Sequence, residues 1–170
     1  MKNDSCWFAG MTGVAVFLGL RAVGATTPEL VNSFSRVAAW LAATALGVSL
    51  EGGVDPIIAH SLFPLQIVRT CSGWSFFCLL AALLVARALA SPARWQCHLQ
   101  LTVLAVPLAA VITLLANAAR FVTVVTGGRY VLPHLPPLAG ASFHAAIGVA
   151  VFLPTLIVAY SLWERRIDNV

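Results

Sequence analysis

The sequence predicts an all-α polytopic integral membrane protein: a helical bundle of about five transmembrane helices, forming a single membrane domain over residues 1–170. Three observations lead there. Of the 170 residues, 60% are hydrophobic and only 9% charged, too little charge to cover a water-soluble domain of this length. The apolar residues gather in runs close to the roughly 20 that a helix needs to cross a bilayer core about 30 Å thick. Lys and Arg lie singly at the ends of those runs, as membrane-flanking residues do.

Five segments have that character: residues 6–23, 30–50, 72–89, 99–125 and 143–163. Thr27-Pro28-Glu29 is a good start for the second, although Arg36 shortens its apolar part. Pro107 is expected to kink the fourth, which a membrane helix tolerates. Trp74, Trp95 and Trp163 suit interfacial belts, and Trp40 lies within a span. Two longer connections remain. Residues 51–70 carry Gly52-Gly53, Asp55-Pro56 and the half-apolar run IIAHSLFPLQIV, expected to lie on the interface or re-enter it. Residues 126–141 carry Gly127-Gly128 and the Pro-rich turn LPHLPP.

The net charge of +4 does not point to nucleic acid, because there is no basic stripe and no Gly-rich phosphate loop. The four cysteines, Cys6, Cys71, Cys78 and Cys97, match no zinc or redox spacing. Cys71 and Cys78 are about 10 Å apart along a helix axis, too far for a disulfide.

Lys2, Arg69 and Arg129 fall on one side of the expected topology. Arg21, Arg36, Arg87, Arg94, Arg165 and Arg166 fall on the other. The positive-inside rule makes the second side cytoplasmic, with the amino terminus outside and the carboxyl terminus inside. Val23-Gly24-Ala25 resembles a signal-peptide cleavage site, but Asp4 dilutes the amino-terminal charge and Arg21 interrupts the apolar run. A retained helix is the better reading.

That topology brings three reactive residues to one depth at the outer face. Cys71 opens the third helix, Arg120 lies near the outer end of the fourth, and His144 opens the fifth. A thiol at a helix amino terminus faces the positive end of the macrodipole, which favours the thiolate. An imidazole beside it can take the thiol proton and later protonate a leaving amine. A fixed guanidinium can stabilise an oxyanion or hold a carboxylate. Asn117, one turn before Arg120, can orient the arginine or donate to the oxyanion. Thr70, Ser72 and Ser75 can cap the helix or line the pocket.

Blander readings apply elsewhere. Cys6 and Cys78 are expected to be buried hydrophobes, Arg87 to snorkel to headgroups, and His60, His98 and His134 to be solvated. Cys97-His98 is a weak metal signal. Arg120 differs by its depth and by Asn117 beside it, and ionisable residues at depth are functional candidates.

The run Thr70-Cys71-Ser72-Gly73-Trp74-Ser75 resembles the CSG motif of the exosortase/archaeosortase family. Asn117-Ala118-Ala119-Arg120 resembles its N-x-x-R motif, and Ser142-Phe143-His144 its histidine element. The resemblance covers roughly residues 47–153. It implies a sortase-like, membrane-embedded cysteine peptidase or transpeptidase of a bacterial inner membrane, acting at the extracytoplasmic face. Such enzymes cleave a carboxyl-terminal sorting signal of exported proteins (a short motif, a transmembrane helix and a basic tail) and transfer the new end to an anchor. It carries Cys71 over as nucleophile, Arg120 as stabiliser and His144 as general acid/base, with Asn117, Ser72 and Gly73 in support. Typical members hold about eight helices, so this chain looks like a short, exosortase K-like form, and Phe121 replaces a smaller aliphatic residue.

The expected partners are the tail of an exported protein, the lipid bilayer and an acceptor nucleophile or lipid, with no nucleic acid. The chemistry needs no metal or organic cofactor. Two rivals belong to other classes: a non-enzymatic membrane scaffold or transporter subunit, and a thiol redox protein.

Overall fold

A computed structural model of the chain describes the backbone of residues 2–53, 55–61, 64–68, 71–91, 95–134 and 140–168; of these, the side chains of residues 2–6, 95–98, 132, 141 and 168 fall outside the description. The described residues form five α-helices and three short strands: α1 (Lys2–Thr26), α2 (Pro28–Leu46), β1 (Leu50–Glu51), β2 (Ile57–Ile58), β3 (Leu65–Gln66), α3 (Trp74–Leu89), α4 (Trp95–Val131) and α5 (Gly140–Asp168). Three stretches are long and apolar enough to cross a membrane: Trp7–Thr26, Leu99–Val131 and Ser142–Ile167. The apolar α3, at 16 residues, is about 24 Å long.

The helix α2 starts where the sequence indicates, with Pro28 as its first residue. It stops four residues early. Gly47 takes φ 68°, its N–H donates to Thr44 O at 3.2 Å and the Val48 N–H donates to Ala43 O at 3.0 Å. This is a Schellman end, which needs a left-handed residue and so selects glycine. At its other end, α4 runs six residues further than expected, straight through Gly127 and Gly128.

Among the described residues, the departure from an all-α fold lies between Leu50 and Gln66. Here β1, β2 and β3 form an antiparallel sheet in that order. Leu50 faces Ile58, and Ile58 faces Leu65. Gly52 at φ 87° and prolines at 56 and 64 block a helix in this stretch, while the apolar β-branched residues favour pairing.

The chain divides into two compact units. One comprises Met1–Thr27, Trp74–Thr113 and Thr155–Val170, and the other Pro28–Gly73 and Leu114–Pro154.

In the first unit, α1 and α3 pack antiparallel. Near the end of α1, Arg21 Nη1 donates to Ser75 Oγ at 2.7 Å and Leu20 O accepts from Trp74 Nε1 at 3.2 Å. Further down, Gly13 lies against Ala82 and Ala86. Small residues let the backbones approach, as helix association in lipid requires. Arg21 therefore lies beside the start of α3, not at the opposite end as expected from charge bias. Two further expectations change. The indoles of Trp74 and Trp163 are buried rather than in belts, and Trp163 Nε1 donates to Leu84 O at 3.0 Å. Arg87 does not simply snorkel, since its Nε lies 3.4 Å from Glu164 Oε1. These contacts join the last turns of α3 and α5, so the two helices run the same way.

In the second unit, α2 buries a stripe formed by Val31, Ser35, Ala38, Ala39, Ala42 and Ala43, spaced as one helical face. The alanines meet Ile58, Leu65 and Ile67 from the sheet segment. Ala118, Phe121, Val124 and Val125 of α4 and Ile147 of α5 complete this core. Phe121, unusual for the resembled motif, is one of its largest fully buried side chains.

Candidate functional site

Cys71, Ser72, Gly73, Asn117, Arg120 and His144 all fall in the second unit. Cys71 follows β3 by way of Ile67 and Val68, and its N–H donates to Val68 O at 2.8 Å. The thiol is half-buried and free, and it packs at the edge of the core with Phe143. Helix α3 begins only at Trp74, because Gly73 takes φ 73° and breaks the helical path between them. Cys71 thus sits in a turn three residues before the helix. The dipole argument, which acts over the first turn, loses its geometry. Ser72 is buried, Ser75 is engaged by Arg21, and Thr70 lies outside the described residues.

Asn117 takes a part different from the two expected. It is fully buried on α4, and its Nδ2 donates to Cys71 O at 3.0 Å. A carbonyl only accepts, so the amide must present its NH2 there. This bond links positions 46 residues apart and fixes the backbone that carries the thiol. The other end of the amide, Oδ1, is buried without a partner.

Arg120 lies one turn further along α4. It packs against Gly148 and Phe152 of α5, which share one face with His144, each four residues from the next. Its Cζ stands 5.7 Å from the centre of the Phe152 ring. A β-carbon built at Gly148 would lie 3.5 Å from Nε and 3.9 Å from Cζ, so the glycine leaves the space that the guanidinium uses. His144 is half-buried, feels the Arg120 charge and meets Phe143 edge-on at 6.3 Å. Arg120 Nε is buried and unpartnered.

The site therefore comprises Cys71 tied to Asn117 and, one turn further along α4, Arg120 packed on the face of α5 that carries His144. The thiol and the imidazole share no hydrogen bond. Unliganded thiol and base are commonly looser than in a loaded site. Buried polar atoms are nearly always paired; among the described residues the exceptions are Asn117 Oδ1 and Arg120 Nε, one turn apart on α4, and the Thr102 and Thr113 hydroxyls, and the first two could take a ligand. That ligand would carry an N–H for Asn117 Oδ1 and an electron-rich oxygen for Arg120.

Gly148 and Phe152 escaped the sequence reading, although their spacing of four and eight from His144 was available. Cys78 is buried, as expected of a small hydrophobe, and His134 is exposed. The side chains of Cys6, Cys97 and His98 lie outside the described residues. Among the described residues, no three His, Cys, Asp or Glu side chains gather as metal ligands. No protein-family model, curated protein or solved structure matches this chain.

Proposed function

We propose that this protein is a membrane-embedded thiol peptidase or transpeptidase that cuts the carboxyl-terminal tail of exported proteins, as its motifs' resemblance to the exosortases implies. The observation that carries the proposal is the hydrogen bond from Asn117 to Cys71 O, with Asn117 Oδ1 and, one turn further along α4, Arg120 Nε left buried and unpaired.

The reaction follows from ordinary thiol chemistry. The Cys71 thiolate attacks a peptide carbonyl, forming a C–S bond. The Arg120 guanidinium takes the developing oxyanion. The C–N bond breaks as His144, carrying the thiol's proton, protonates the leaving amine. Water or an acceptor nucleophile then attacks the thioester, and the thiol regains its proton.

The reading includes a topology. Because α1 and α3 are antiparallel, the chain must return between them to the side it left. Were α2 a full crossing, residues 47–70 would have to pass back through the bilayer. A sheet with open edges is not tolerated in hydrocarbon. We therefore take α1, α3, α4 and α5 as four crossings, with the short α3 met by local thinning, and α2 and the sheet at the Cys71 end. Lys2, Arg87, Arg94, Arg165 and Arg166 then oppose Arg21, Arg36, Arg69 and Arg129. The larger group is cytoplasmic. Both termini are cytoplasmic and Cys71 faces outward, in a multi-pass protein of a bacterial inner membrane. The amino terminus is reversed from the charge-bias expectation.

The test is co-expression with small exported proteins of the same genome that end in a short motif, an apolar helix and a basic tail. Wild-type enzyme should shorten one of them by the mass of the tail, and Cys71→Ala should not. Equal processing by both would return the protein to the scaffold reading.

A further inference from the structure

The strand that leads to Cys71 has an open edge. The register pairs Ile57 with Gln66 and Ile58 with Leu65, and the Ile67 N–H donates to Pro56 O at 2.9 Å. In an antiparallel ladder, successive residues direct their N–H and C=O to opposite neighbours. Leu65 and Ile67 therefore face β2, while Gln66 and Val68 face away from it. Among the described residues no strand lies beyond β3, and Gln66 and Val68 are exposed. The outward carbonyl of Val68 is occupied by the Cys71 N–H. Among the described residues, nothing bonds the Gln66 N–H and C=O or the Val68 N–H.

We infer that this edge is the substrate-binding element: the peptide to be cut docks as a fourth strand beside β3, held by its own backbone. The inference rests on the thiol-peptidase reading and says how the substrate is held. An added strand lies about 4.8 Å from its neighbour. It would pair with Gln66 and run on past Val68, whose carbonyl is tied to the residue carrying the thiol. The peptide's reacting carbonyl is thereby delivered to Cys71 in an extended form that exposes it to attack. Addition of a strand to a sheet edge draws affinity from main-chain hydrogen bonds and specificity from alternate side chains. The recognised motif should accordingly be read at every second residue and should exclude proline where its N–H would meet Gln66 O.

The test uses the full-length membrane protein and the tailed substrate identified by processing. Gln66→Pro removes only an N–H that points away from the sheet, a placement proline accepts on an edge. Gln66→Ala removes the side chain and keeps the backbone. The inference predicts processing about 5-fold slower for Gln66→Pro, as expected for losing a main-chain bond to substrate worth about 1 kcal/mol. Gln66→Ala keeps both main-chain groups and should be slowed clearly less than Gln66→Pro, since the main-chain bond is not lost. Wild-type rates in Gln66→Pro, or equal losses in both variants, would overturn it. Should Gln66→Pro fail to fold, N-methylation of a synthetic substrate peptide at each position in turn replaces it. Inhibition must then alternate along the peptide, and a flat response overturns the inference. Failure of the parent reading is separate: there, Cys71→Ala would process normally whatever the Gln66 variants do.

Discussion

Asn117 shows how much of the site depends on single side chains. It is buried with nothing to replace its bond to Cys71 O, and an unpaired buried group costs about 1–3 kcal/mol. Asn117→Leu, of similar volume, should slow tail processing by about 10- to 100-fold on that basis. It should also change the rate at which iodoacetamide labels Cys71. A purely structural asparagine would lower the amount of folded protein and leave the labelling rate of the folded fraction unchanged. Gly148 gives a second prediction. With 3.5 Å to Arg120 Nε, Gly148→Ala is ordinary contact and should keep processing near wild type. Gly148→Leu must displace the guanidinium, and processing should fall while thermal stability in detergent holds within a few degrees. Residue types singled out Cys71, Arg120 and His144, but the helix ends assigned to them did not hold: Cys71 precedes α3, and Arg120 and His144 lie inside α4 and α5. The true partner of Asn117 was not legible, because a bond across 46 residues is set by tertiary packing that no local pattern encodes.

Glycines and tryptophans decide the elements. The start of α2 was legible in Thr27-Pro28-Glu29. Its end was legible in principle, since Gly47 sits where a Schellman end needs it, but the apolar run to Leu50 masked the signal. Gly47→Ala, forced to φ 68°, should destabilise the protein by about 1–2 kcal/mol, seen as a lower Tm in detergent. The small sheet was hidden because its strands are two residues each, too short to show alternation. Trp74 and Trp163 look like belt residues in a sequence, since indole amphipathicity suits both an interface and a buried N–H with a carbonyl partner. The structure pairs both with carbonyls. Gly24 explains one pairing: a β-carbon there would run into the Trp74 indole. Gly24→Ala should therefore disturb the α1–α3 contact at about 1–3 kcal/mol, again read as a fall in Tm.

At the scale of the whole molecule, composition alone pointed to long apolar helices, and among the described residues three are long and apolar enough to cross a membrane. Charge counting misplaced Arg21, because it treats every apolar segment as a crossing and cannot register the antiparallel pairing of α1 with α3. The revised topology is checked by protease access to terminal tags in intact spheroplasts. Both tags should be protected, and an accessible amino-terminal tag would restore the original assignment. The central claim is that Cys71 forms a covalent bond to substrate. The most direct measurement is mass spectrometry of the Cys71 peptide after acid quench of enzyme turning over its tailed substrate. The account predicts an acyl adduct of the substrate's upstream portion on Cys71, released by hydroxylamine as a thioester should be. Cleavage of substrate with Cys71 unmodified, or with the adduct on another residue, would contradict it.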